Sequence, residues 1–355
     1  MITSVRLQNF KAHRDTTVEL GRFTVLVGPN GSGKTSVLEA LLRTSGLLNK
    51  APNQAFRWPY DPDDIASRNA PDGPIGVELN SADSVLAIEW VRMRDRGPAI
   101  DWVPALRWEI QGTESGTGEA RDKQIDRSVA MALAHIMGDS AIYHFDATRI
   151  ASPAQSEHER PSVASDGSNT ADVLASMKLE QEERFRRIEG ELRSVVPNVE
   201  RVRIRRAKAA NATIGHQILL DFRGAPGVPA HAASEGTLVT LALLTVLHSP
   251  NSPRLILLDD IDQSLHPRAQ IELVRQIKRL LDEMPDLQVV ATTHSPYILD
   301  ELDPKDVHVF ALKNDGTVAH KRLSEHPEAA SGVLTSGQIW SLDPEEEWVA
   351  AEEKT

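Results

Sequence analysis

Gly28-Pro29-Asn30-Gly31-Ser32-Gly33-Lys34-Thr35 fits the pattern G-x-x-x-x-G-K-[ST], and the residues on either side decide what it is. Before it, Phe23-Thr24-Val25-Leu26-Val27 is a short apolar run that reads as a buried strand. After it, Ser36-Val37-Leu38-Glu39-Ala40-Leu41-Leu42 has helical spacing. Strand, glycine-rich turn and helix are the context that a phosphate-binding loop requires. Glycines let the backbone wrap a phosphate with its amide N–H groups pointing inward, and the helix start adds a partial positive charge. Gly28, Asn30, Gly31, Ser32, Gly33, Lys34, Thr35 and Ser36 are therefore the candidate contacts for a nucleoside triphosphate. Lys34 would reach the β- and γ-phosphates, and Thr35 would hold Mg²⁺.

Composition sets outer bounds on this reading. With 355 residues the chain has room for one large α/β domain or two smaller ones. It has no cysteine, which excludes disulfides and thiolate metal sites and suits a reducing cytoplasm. No apolar run approaches bilayer-spanning length and the N-terminus lacks a secretory pattern, so a cytoplasmic protein is expected. A net charge of −12 argues against uniform tight binding to nucleic acid and leaves room for local basic patches. Arg201-Val202-Arg203-Ile204-Arg205-Arg206 is the best of these; it alternates like a strand and reads as a solvated strand face ahead of a DNA contact.

The pattern along the chain is mixed α/β. Strands are predicted near 2–8, 15–19, 23–28, 75–80, 85–93, 105–110, 141–146, 200–206, 216–222, 254–259, 287–292 and 306–312. Helices are predicted over about 33–47, 122–137, 170–196, 236–248, 267–284 and 296–301. In the stretch after Asn169, Leu174, Met177, Phe185, Ile188, Leu192 and Val195 form one apolar face among many charges. Residues 151–169 and the Pro/Asp-rich stretch from Pro52 to Gly73 read as loops. There is no internal repeat and no heptad run long enough for a coiled coil.

Three further motifs follow in an order that a lone phosphate loop does not require. Arg254-Leu255-Ile256-Leu257-Leu258-Asp259-Asp260 is a buried strand delivering carboxylates at its C-terminal end, which suits Mg²⁺ on Asp259 and a general base at Asp260. Ala233-Ser234-Glu235-Gly236-Thr237 opens an apolar helix, with Ser234 either a plain N-cap or a phosphate contact at a helix start. Val289-Val290-Ala291-Thr292-Thr293-His294-Ser295-Pro296 ends a strand in a histidine and opens a helix. Alone, His294 would be structural; one strand–helix–strand unit beyond an acidic strand, it suits a sensor of the terminal phosphate.

That order resembles the ABC-type ATPases, and more narrowly the RecF/OLD/SMC-like branch of AAA-type ATP-binding proteins. Ile2 to Lys11 is similar to the branch's opening strand near the adenine, which makes Lys11 a further candidate ATP contact. Ser234-Glu235-Gly236-Thr237-Leu238 is similar to its S-[DE]-G-T-L signature; Leu265-His266-Pro267-Arg268 and Gly167-Ser168-Asn169 complete the match, from residue 2 to about 312. The resemblance implies a P-loop NTPase fold: an ABC-ATPase head with a mixed sheet and a compact helical lobe. It implies ATP and Mg²⁺ as ligands, Asp260 and His294 as catalytic residues, and Thr35 and Asp259 as metal ligands. Ser234, Glu235 and Gly236 would contact ATP held by a second copy, with Asp262, Gln263 and Ser264 as the D-loop of that interface. The expected head covers 1–335, with a nucleotide lobe of about 1–140 and 250–325 and a signature lobe of about 147–250, before an acidic tail at 336–355.

Two departures stand out. The acid after the metal-binding Asp is usually Glu; Asp260 is one methylene shorter, so slow hydrolysis is expected. The Q-loop glutamine has only weak candidates, Gln54 and Gln124. Arg149 reads either as a position near the nucleotide or as a surface ion pair.

The interval of about 200 residues between Lys34 and Ser234 is too short for long coiled-coil arms, so a head without arms is expected. The resemblance further implies an ATP-sandwiched homodimer serving DNA metabolism or antiphage defence, working with a separately encoded effector, since only about 60 residues follow His294, too few for a TOPRIM nuclease. A RecF-like repair ATPase that meets nucleic acid and an ATP-dependent scaffold with negligible turnover are the alternatives; a transporter ATPase is disfavoured. The acidic tail Ile339–Val349, with Trp340 and Trp348, either packs back on its own domain or docks a partner.

Overall fold

The computed structural model describes residues 1–47, 62–67, 73–94, 100–110, 114–119, 131, 134–138, 140–154, 161–208 and 214–350. Within these the chain divides into two compact units, the first comprising Met1–Ala141, Arg254–Asp259 and Asp286–Thr355, the second Ile142–Pro253 and Asp260–Pro285.

The first unit is built on two sheets. One is antiparallel, in the order β2-β1-β4-β5-β6-β7, from β1 (Ile2–Phe10), β2 (His13–Glu19), β4 (Ile75–Ser81), β5 (Ser84–Arg94), β6 (Ile100–Ile110) and β7 (Glu114–Glu119). The other is mixed, in the order β15-β14-β3-β13-β12-β8, from β3 (Phe23–Val27), β8 (Ser140–Tyr143), β12 (Leu255–Leu258), β13 (Gln288–Thr292), β14 (Val307–Leu312) and β15 (Val318–Arg322). Its centre is parallel: β14, β3, β13 and β12 run the same way, and β15 pairs antiparallel with β14. Every residue of β3, β12 and β13 is buried. That is why these strands are mostly apolar, since a parallel strand covered on both faces has no solvent side to show. Helix α1 (Lys34–Gly46) follows β3, and a short α2 (Pro62–Ile65) precedes β4.

The second unit holds a three-stranded antiparallel sheet, β11-β10-β9, from β9 (Val199–Lys208), β10 (Ile214–Phe222) and β11 (Ala225–Pro229). Its helices are α3 (Ala147–Ala151), α4 (Thr170–Glu180), α5 (Glu182–Val195), α6 (Glu235–His248) and α7 (Pro267–Glu283). The one helix predicted over 170–196 is two. Gln181 adopts φ −142°, ψ 54°, outside the helical region, which interrupts the helical ladder between α4 and α5. The apolar stripe has its gap at the same place, between Met177 and Phe185, and Leu179 there is 85% exposed. Strands β7, β11 and β15 carry weak apolar alternation and were not predicted. Gln54, Gln124 and most of the predicted 122–137 helix lie outside the described residues.

One buried side chain ties the opening strand to the parallel sheet. Gln288, 2% exposed, accepts from Ile2 N–H at 3.1 Å and donates to the carbonyls of Ile2 and Gly21, both at 2.8 Å. Gln288→Leu would remove three hydrogen bonds to backbone groups, two of them buried, at a cost of about 2–4 kcal/mol. A urea titration followed by circular dichroism checks it; a midpoint equal to wild type would show that other contacts hold β1 in place.

Candidate nucleotide site

The phosphate loop, Asp259 and Thr292-Thr293-His294 all leave the C-terminal ends of neighbouring strands, β3, β12 and β13, where open α/β sheets bind ligands. The loop's glycines are required by shape. Gly28 has φ 139°, and an added Cβ would stand 2.1 Å from the Phe310 carbonyl oxygen. Gly33 has φ 96° and is the N-cap of α1; a Cβ there would lie 2.7 Å from His13 Nε2. Gly31, at φ 79°, has nothing within 4 Å of a built Cβ. Lys34 is buried and curls over the loop, its Nζ donating to the carbonyls of Gly28 at 2.7 Å and Pro29 at 2.8 Å. Ser32 Oγ is buried without a hydrogen-bond partner among the described residues. Ser36 is buried, and Asn30 and Thr35 are exposed. A cationic amine, an unsatisfied hydroxyl and a loop of left-handed glycines form a cradle that a polyphosphate fits.

Beside it, Thr35 Oγ1 lies 3.1 and 3.3 Å from the two carboxylate oxygens of Asp259. Thr292 Oγ1 donates to Asp259 Oδ1 at 2.6 Å. Among the described residues no group of three or more His, Cys, Asp or Glu gathers to hold a metal. A hydroxyl and one carboxylate fit Mg²⁺, which usually takes one or two carboxylates and completes its shell with waters and substrate phosphates. Asp260 has φ 52°, and its carbonyl accepts from Gln263 N–H at 3.0 Å. The chain passes from the first unit to the second between Asp259 and Asp260. His294 is exposed just beyond β13, while Thr293 N–H reaches the Leu26 carbonyl at 3.2 Å. Lys11, at φ 52°, forms an ion pair with Glu39 of α1.

In the second unit Ser234 caps α6, its hydroxyl 3.4 Å from Thr237 N–H and 2.7 Å from Thr237 Oγ1. Ser264 Oγ donates to Glu235 Oε2 at 2.9 Å. Gly236 lies so close to the chain at Ser264 that a Cβ would meet its carbonyl oxygen at 2.5 Å. Ser264 takes φ 61°, and Leu265 N–H bonds the Asp262 carbonyl at 3.1 Å. The signature residues and the loop 262–264 are thus one cluster, with Ser234, Glu235, Gln263 and Ser264 exposed. Arg149 donates from Nη1 to Asp166 Oδ2 at 2.8 Å, the surface pair that was one of its two readings.

The family model "AAA domain, putative AbiEii toxin, Type IV TA system" matches residues 23–300. The chain belongs to this family. It is an ABC-type ATPase of the SMC/Rad50 branch. The Septu protein PtuA of Bacillus mycoides is 38% identical over 85 residues, 23% of this chain and 11% of that protein. The Rad50 ATPase of Sulfolobus acidocaldarius is 46% identical over 43 residues, 12% of this chain and 5% of that protein. The ATPase therefore matches only a small share of these curated relatives' length. The fold matches an Smc head solved bound to the C-winged helix domain of ScpA, with a TM-score of 0.57 at 19% identity over 91% of this chain and 99% of that one. A Pyrococcus furiosus Smc head with an extended coiled coil, bound to the C-terminal domain of ScpA, gives a TM-score of 0.53 at 17% identity over 94% and 99%.

The ATPase has a loop partner that sequence motifs did not reveal. His13, fully buried at the start of β2, places Nε2 at 3.0 Å from the Gly33 carbonyl. A carbonyl can only accept, so Nε2 carries the proton; Nδ1 is buried without a partner among the described residues. Burial holds the His13 imidazole down to about 4, against the opposing pull of the Gly33 bond, with His320 and Lys11 lowering it further. A lone histidine in a hairpin gives no signal in sequence. Its role emerges only when β2 meets the loop.

Because this folded pKa lies below the ordinary 6.5, the stabilisation is complete above pH 6.5 and is lost as pH falls towards 4. Between pH 7.5 and 4.5 the wild-type ATPase should lose about 2–3 kcal/mol more stability than His13→Gln, which cannot titrate. Urea titrations at the two pH values check it; equal losses would show that His13 is not buried neutral.

Proposed function

We propose that this ATPase binds MgATP on the phosphate loop and closes into a homodimer around two nucleotides, hydrolysing them slowly to switch a separately encoded effector. The observation that carries the reading is the meeting of the Thr35 hydroxyl with the Asp259 carboxylate beside Lys34, at the C-terminal edge of a parallel sheet. In this reading the loop amides and Lys34 bind the β- and γ-phosphates. Thr35 and Asp259 hold Mg²⁺, which neutralises phosphate charge when bound. Asp260 orients a water and accepts its proton as the water attacks the γ-phosphorus and the bond to the ADP oxygen breaks. His294 donates to a γ-phosphate oxygen.

Lys34 and Ser234 belong to different units of the chain, and the exposed cluster of Ser234, Glu235 and Ser264 ends at a helix start, where an anion is favoured. Placed on the γ-phosphate of a second copy, that cluster would make each ATP a cross-link, so nucleotide favours the closed state and hydrolysis opens it. The likeness to Septu proteins and to a toxin–antitoxin family favours antiphage defence. The Rad50 likeness keeps a DNA-repair role as the second reading, for which duplex DNA should raise turnover.

Steady-state turnover and light scattering test the whole. Lys34→Ala should abolish ATP binding. Asp260→Asn should bind ATP, turn over at least ~100-fold more slowly and remain dimeric with ATP. A monomer with ATP bound would end the sandwich reading, and a dimer of wild type without turnover would leave a scaffold.

Trans assembly has a sharper signature. Lys34→Ala and Ser234→Arg should each be inactive, whereas an equal mixture should regain roughly a quarter of wild-type turnover, since about half the dimers are mixed and each carries one intact site. A silent mixture would argue that Ser234 does not act across the dimer.

A further inference from the structure

Beyond β13 the chain makes a single helical turn, α8 (Pro296–Leu299), immediately after His294 and Ser295. One turn makes too few internal hydrogen bonds to hold its own position. The C-terminal segment holds it from outside. Helix α9 (Ser336–Trp340) opens with a capping box in which Thr335 and Gln338 satisfy each other's backbone N–H groups. Its second residue, Gly337, donates from N–H to Asp300 Oδ1 at 2.9 Å, and Asp300 N–H bonds back to the Pro296 carbonyl at 2.9 Å. The approach is close: a Cβ on Gly337 would stand 2.3 Å from the Pro296 carbonyl oxygen and 2.5 Å from Asp300 Oδ1. Ser336 Oγ donates to the Leu302 carbonyl at 2.7 Å, and Ile339 is fully buried.

The far end of the segment is anchored too. Helix α10 (Glu345–Trp348) offers its Trp348 carbonyl to Lys321 Nζ of β15 at 3.1 Å. Buried His326 lies 3.0 Å from Asp343 and sets its ring edge-on to Trp348, with centroids 4.9 Å apart. Of the two readings of the acidic tail, packing on its own unit is what these contacts describe. The segment is a strap, pinned to β15 at one end and pressed on the turn after His294 at the other. All of it lies within the first unit.

We propose that Asp300 and Gly337 are positioning residues for His294, so that the C-terminal strap sets the rate of hydrolysis while leaving ATP affinity alone. This rests on the reading of His294 as the γ-phosphate contact. The strap touches neither the phosphate loop nor Asp259 through any of the bonds just described, which is why binding and turnover should separate.

The test measures kcat and the ATP dissociation constant for Asp300→Ala, Gly337→Ala, Asp300→Asn and His294→Ala, with circular dichroism to check folding. Asp300→Ala and Gly337→Ala should each lower kcat ~10-fold or more with the dissociation constant within about twofold, as expected for a misplaced reacting group. Asp300→Asn should keep wild-type turnover, because its amide oxygen still accepts from Gly337 N–H. Adding Asp300→Ala to His294→Ala should change nothing further, the sign of two residues acting through one. Wild-type kcat in folded Asp300→Ala and Gly337→Ala, or losses that multiply with His294→Ala, would overturn the brace while leaving His294 its role. Wild-type turnover in His294→Ala would overturn the brace and the reading beneath it together.

Discussion

A carboxylate at the end of an all-apolar strand must find hydrogen-bond donors or drive the strand out of the core. Asp259 finds two, the hydroxyls of Thr35 and Thr292, and each comes from a different element. One begins α1 and the other ends β13. The acid that ends β12 thus pins together three segments that share only the sheet, and it does so at the edge where the phosphate loop turns. Lys34 is oriented by the same loop through the Gly28 and Pro29 carbonyls. Lys34 and Asp259 are thus each oriented by backbone or hydroxyl partners.

Under the loop, His13 plays a comparable part from the other sheet. Its donation to the Gly33 carbonyl fixes the peptide plane on which the next amide, that of Lys34, depends. Lys11 reaches α1 through Glu39, and Val318 N–H bonds the Ala12 carbonyl at 2.9 Å. The hairpin of β1 and β2 is thus clasped between the loop's helix and β15. In the second unit two of the four arginines of β9 bond within their own sheet: Arg203 pairs with Asp221 at 2.7 Å and Arg205 donates to Gln217. Arg201 and Arg206 of the same strand are exposed.

What was legible in the sequence was local and rigid. Strand, loop and first helix could be read because a fully buried parallel strand shows itself as an apolar run, and because left-handed turns leave glycines behind. Asp259, Ser234 and His294 could be placed because each closes or opens an element with its own boundary signal. What was hidden came from contacts between distant segments. Gln181 breaks a helix that its neighbours would continue, His13 acts on a loop twenty residues away, and Lys11 pairs with Glu39 of α1. Strands β7, β11 and β15 exist because a neighbour supplies the missing ladder, and no run of their own residues announces it.

Asp260 remains the unusual letter in an otherwise regular motif, and its backbone gives a cause. With φ at 52° it sits in the left-handed region, which Asp and Asn enter several-fold more readily than longer side chains do. The turn that carries the chain from one unit to the other therefore favours a short polar side chain over a longer one. Lengthening the side chain to glutamate would set reach against conformation, each pulling the turn its own way. At this corner the main chain comes first: a longer side chain would need a redrawn turn.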